Sequence, residues 1–165
     1  MEHYLRSIFI VFCLLVLQTT FIPYISIAGI LPDLLLIWLM YLALKRGQIE
    51  ATVAGFFVGL LQDILVTHFF GLAALSKTVS GFIAGYFFNE NKMEQTLSTY
   101  RFVALTGMVS LLHNLLYLSI FLQGTAESFL QSLIILSVGT ALYTATVSIL
   151  PVFTFARKSL AVGSQ

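Results

Sequence analysis

The chain has 165 residues, 59% of them hydrophobic and 9% charged, with a formal net charge of +1. Soluble domains carry about 25% charged residues, so a water-covered globule is excluded and lipid must cover the surface instead. The charge balance shows no sign of a nucleic-acid partner, and the single cysteine, Cys13, excludes an intramolecular disulfide.

In chain order, the first apolar stretch predicts a helix over 5–22, ended by Pro23. No small-residue cleavage site follows it, so it reads as an uncleaved span rather than a signal peptide. Cys13 within it reads as a small buried apolar residue, and Gln18, Thr19 and Thr20 only mark the span's outer boundary. A second helix is expected over 32–45, with Pro32 in the first turn, where a missing N–H costs nothing. It is short for a span, so it is tilted, shielded by protein, or extended by 27–30. Further helices are expected over 49–66, 70–88, 101–122 and 128–150, with a polar loop at 89–100. Six spans of roughly 20 residues use about 120 residues, which leaves no room for a soluble domain. The fold expected is therefore an all-α integral membrane protein, one compact bundle of six transmembrane helices over 1–165.

Charge sets the orientation. With the N-terminus inside, Arg6, Lys45, Arg46, Lys92, Arg101, Arg157 and Lys158 all fall on the cytoplasmic side. The opposite connections, near 23–31, 67–70 and 124–127, contain no Lys or Arg. This is the positive-inside pattern, and it places both termini in the cytoplasm.

Small residues recur every four positions on the third helix, at Ala51, Gly55 and Gly59, ending in Asp63. The fourth helix repeats this with Ala73, Lys77, Gly81 and Gly85. Such stripes let backbones approach closely in lipid, so the Gly55/Gly59 and Gly81/Gly85 faces are expected to pack, within the chain or on a partner. Lys77 has three open readings: an ion pair with Asp63, snorkelling to the surface, or a contact with an anionic ligand or a partner's acidic group. Asp33 reads as a cap on the second helix or as a partner contact. Ser110, His113, Asn114 and Tyr117 on the fifth helix form an intramembrane polar cluster. It serves helix–helix hydrogen bonding, a ligand or proton site, or a partner helix. Thr140, Thr144 and Ser148 make a facing stripe on the sixth. No phosphate loop, HExxH, CxxC or GxSxG motif is present. No metal-ligand spacing surrounds His3 or His68, and no cofactor, metal or catalytic residue is expected.

The stretch from the second to the fourth helix is more specific than its composition. It reads Leu31-Pro32-Asp33-Leu34-Leu35-Leu36, then Gly47, then Ala54-Gly55-Phe56-Phe57-Val58-Gly59-Leu60-Leu61-Gln62-Asp63, then Phe70-Gly71-Leu72-Ala73-Ala74-Leu75. This resembles the rod shape-determining protein MreD family, with its P-D-L-L, G-F-x-x-G-L-x-x-D and G-L-x-A-L elements. The resemblance implies a non-enzymatic scaffold subunit of the bacterial elongation (rod) complex in the inner membrane. It would bind the single-pass protein MreC and help position peptidoglycan synthesis for cell-shape control. RodA, a class B penicillin-binding protein and MreB are the implied wider partners. The family fold is similar to the S-components of energy-coupling-factor transporters. A small-molecule-binding carrier of that kind is the alternative, with His113, Asn114 and Lys77 at its ligand. Against it, the first helix lacks the alanine stripe by which S-components dock: 5–22 contains no alanine.

Overall fold

Backbone amides in hydrocarbon can bond only to one another, and the chain answers with helix almost throughout. The computed structural model describes residues 2–27, 29–66, 69–123 and 129–153. The described helices are α1 (Glu2–Thr20), α2 (Leu34–Arg46), α3 (Gln48–Val66), α4 (Leu72–Gly85), α5 (Met93–Leu97), α6 (Tyr100–Phe121) and α7 (Phe129–Val147), with short 3-10 turns at Ile22–Ile25 and Glu90–Lys92. By length and composition, Gln48–Leu65, Tyr100–Phe121 and Phe129–Phe153 are long and apolar enough to cross a membrane. Leu5–Thr20 and Leu72–Gly85 are shorter apolar helices.

α2 is the centre. Its 13 residues span only about 20 Å, and Leu35, Leu36, Leu39, Met40, Ala43 and Leu44 are all buried. A helix apolar on every side belongs inside a bundle, so protein shields this short element. The alternative extension through 27–30 does not occur. Ile27 and Ile30 exchange backbone hydrogen bonds in an isolated antiparallel bridge, turned at Gly29 with φ 79°. Pro32 also lies outside the helix, because Asp33 Oδ1 accepts from Leu36 N–H at 3.0 Å and so takes the N-cap position itself.

α3 and α4 pack antiparallel along their small-residue stripes. A Cβ added at Gly55 would strike the Lys77 carbonyl, and at Gly59 the backbone of Ala73 and Ala74. At Gly81 it would strike the Ala51 carbonyl, and at Gly85 the Cα of Gln48. Through Ala51, Gly55 and Gly59 each step of four along α3 is answered by a step of four back along α4, so backbone rests on backbone. All four glycines lie in the contact between α3 and α4.

α4 is shorter than the expected 70–88. It starts after Gly71, whose φ of 95° only glycine adopts readily, and beyond Gly85 the chain tightens into i→i−3 bonds from Tyr86, Phe87 and Phe88. α7 breaks at Ser148 and resumes through residue 153, past Pro151. The 89–100 segment is not a plain loop: α5 forms within it, and Leu97 is buried in the main core beside Phe102.

The surface is inverted relative to a soluble protein. Phe9, Phe12, Phe57, Ile64, Leu130 and Leu142 are exposed, while Lys77 heads the fully buried side chains. Cys13 is exposed on α1 rather than buried, because α1 packs against α2 and, less, α3, leaving its other faces open. His68, the 124–127 connection and the tail with Arg157 and Lys158 lie outside the described residues.

Candidate functional site

The site is a polar knot at the start of α2. Asp33 ties four helices with one residue. Its Oδ1 caps its own helix at Leu36. Its backbone N–H donates to Thr144 Oγ1 on α7 at 3.1 Å. Its Oδ2 takes the Lys77 ammonium from α4 in an ion pair, and lies 3.5 Å from His113 Nε2 on α6. His113 Nδ1 is 3.3 Å from Ser80 Oγ, one turn beyond Lys77 on α4. Lys77, Thr144 and Ser80 are 0–1% exposed, while Asp33 and His113 keep an edge on a neighbouring cavity.

The structure therefore places Lys77 on Asp33, not on Asp63. Lysine side chains on a helix lean toward its N-terminus. α2 and α4 start at the same end of the bundle, so that lean carries Nζ to the α2 N-cap. Asp63 is engaged otherwise: Oδ1 accepts from Ala73 N–H, and Oδ2 from Gly71 and Ala74 N–H, each at 3.0 Å. The carboxylate at the end of α3 caps the start of α4, whose own N-cap residue is a glycine with no side chain to offer. Snorkelling is also overturned, since Lys77 is wholly buried.

The fifth-helix cluster divides. His113 joins the knot. Asn114 Nδ2 turns back to Ser110, 2.8 Å from its carbonyl and 3.2 Å from its Oγ. Tyr117 stacks on His113 with ring centroids 6.2 Å apart, and Phe121 stacks on Tyr117 at 5.8 Å. Gln18 does more than mark a boundary: its Oε1 accepts from Leu35 N–H at 3.2 Å, fastening α1 to the first turn of α2. Ser80 and Thr144 are the knot members that sequence reasoning did not connect with Asp33. Their distance along the chain hid them, although Thr144 stands out on its stripe.

Ser80, His113 and Asp33 lie in the order of a nucleophile, base and orienting acid. Their chemistry here is structural. Ser80 Oγ donates to the Ser76 carbonyl at 2.7 Å and is 1% exposed, and Asp33 is already held by Lys77. A reacting carbonyl has no route to that hydroxyl. Among the described residues no group of three or more His, Cys, Asp or Glu could hold a metal.

Asp33, His113, Asn114 and Tyr117 also border a cavity of about 690 Å³ between α1, α6 and α7. Paired charges on one side and a mainly apolar cavity with polar groups on the other make a site suited to holding helices in one arrangement and to binding.

Compared with known families, the chain matches the model for the rod shape-determining protein MreD over residues 3–159. No curated protein and no solved structure matches it. The match covers nearly the whole chain, and the chain belongs to the MreD family.

Proposed function

We propose that this membrane protein of the MreD family, whose role lies in rod shape determination, is a non-enzymatic, multi-pass scaffold subunit of the elongation complex in the bacterial inner membrane. It binds an MreC-like single-pass protein through its lipid-facing helix surfaces and helps position peptidoglycan synthesis. RodA, a class B penicillin-binding protein and MreB join through that larger complex. Family membership over residues 3–159 is the observation that carries this reading.

The architecture supports it. A scaffold needs a surface that does not rearrange, and the glycine seam of α3 and α4 together with the buried Asp33–Lys77 pair holds the central helices in one register. The outward faces of α1 and α3 then offer large side chains, Phe9, Phe12, Phe57 and Ile64 among them, to lipid or a partner helix. Residues Asp33, Asp63 and Lys77 act in this reading by shaping the bundle rather than by touching the partner.

Affinity purification of the full chain from native membranes in mild detergent tests the proposal. An MreC-like single-pass protein is expected to co-purify in a fixed ratio. Recovery of the folded chain without one, from cells that make both, overturns the scaffold reading.

A further inference from the structure

The knot pairs its charges, but the cavity beside it carries polar groups the knot does not use. Most of its wall is apolar, with Leu15, Ile22, Leu65, Leu118, Leu136 and Phe121 among it. The polar remainder includes Gln62 on α3, Asn114 and Tyr117 on α6, and Thr140 on α7. Gln62 Oε1 is buried with no hydrogen-bond partner. Asn114 commits its Nδ2 to Ser110, which fixes the amide and leaves Oδ1 unbonded among the described residues. The hydroxyls of Tyr117 and Thr140 likewise make no hydrogen bond among the described residues. For Gln62 Oε1, the buried one of the four, an unmet hydrogen bond costs about 1–3 kcal/mol, and a molecule that bonded it could reach the cavity-facing groups of Asn114, Tyr117 and Thr140 as well.

The wall also limits what that molecule is. Asp33 is its one charged member, and Lys77 offsets that charge from behind. The cavity therefore presents no net charge, and an anionic or cationic head would lose its hydration there without a counter-ion. The volume lies within the range of small-ligand pockets, roughly 300–1,000 Å³. α1 forms one wall while packing mainly on α2 and, less, on α3, so among the described residues its α6 and α7 side is the more open to entry from the bilayer.

We infer that this cavity binds a neutral amphiphile, with a head rich in hydroxyl or amide groups joined to an apolar portion. Such chemistry comes either from a membrane lipid with an uncharged sugar head or from a small uncharged compound in water. The partner reading stands apart, because the test uses no second protein.

The full chain in phosphatidylcholine nanodiscs is examined by thermal unfolding and native mass spectrometry in three arms: monoglucosyldiacylglycerol in the disc, hexyl β-glucoside in the buffer, and phosphatidylglycerol in the disc. A rise in Tm with retention in the first arm alone supports a lipid source. A rise with hexyl β-glucoside supports a soluble one. Thr140→Val keeps volume and removes one hydroxyl, so it should leave the basal Tm near wild type and weaken binding roughly three- to tenfold. Leu136→Trp should narrow the cavity and weaken the shift. Equal binding by wild type and both variants, no stabilisation in either glucoside arm, or preferential retention of phosphatidylglycerol overturns the inference.

Discussion

The α3–α4 seam and the Asp33 knot both hold helices together inside a low-dielectric bundle, by opposite means. In the seam backbone lies against backbone at Gly55, Gly59 and Gly81, and close van der Waals contact supplies the attraction. In the knot the contacts are charged or polar side chains, each satisfied by another helix. Lys77 belongs to both: its carbonyl lies against Gly55 while its ammonium reaches Asp33. The seam sets the α3–α4 register, and that register presents the ammonium to the knot. A dry seam tolerates no added volume, whereas a polar knot tolerates no missing partner, so different substitutions should break each.

The largest effect should come from Gly59→Leu. A side chain there enters the backbone of Ala73 and Ala74, which cannot yield as a flexible side chain would. The level of folded protein in membranes, read by fluorescence-detected size exclusion, should fall to a small fraction of wild type. An unchanged profile would show that the seam can open at no cost.

Next comes the knot. Lys77→Met strands the Asp33 carboxylate, and breaking a buried pair in this way costs about 3–5 kcal/mol. Asp33→Asn keeps a cap oxygen for Leu36 while removing the charge. The double variant Asp33→Asn/Lys77→Met should therefore recover most of the stability lost in Lys77→Met, measured by steric-trap unfolding in bicelles. Additive losses would mean the pair does not couple. The same cycle with Asp63→Asn should show no recovery, because that carboxylate caps α4.

The smallest effect sharpens the contrast. Gly107 on α6 would bring a Cβ to 3.3 Å from the methyl of Ala145 on α7, side chain against side chain. Gly107→Ala should change stability by about 1 kcal/mol or less, the helix-propensity gain over glycine offsetting a few tenths of an ångström of displacement. A loss comparable to that at Gly59 would show that α6 and α7 also rest backbone on backbone.

Periodicity made the packing faces of the seam legible, since glycines recur at intervals of four on two successive helices. The knot was only half legible. Asp33 as a cap follows from Pro32-Asp33 before an apolar run, and the outward lean of Lys77 follows from helix geometry. Their union does not, because Asp63 stands closer in sequence and on a matching stripe. The free amides at Gly71, Ala73 and Ala74 decided between the two acids, and they exist only because α4 begins two residues later than its apolar run suggests.

By itself the sequence determined that helices would form, that lipid rather than water would meet their surfaces, and that α3 and α4 would each carry a close-packing face. These follow from composition and short-range spacing. Only the tertiary structure decided which acid answers Lys77, that Thr144 and Ser80 complete the knot, and that a cavity opens beside it. Each of these depends on where the ends of non-adjacent helices meet, a relation between residues up to 111 positions apart that local spacing does not encode.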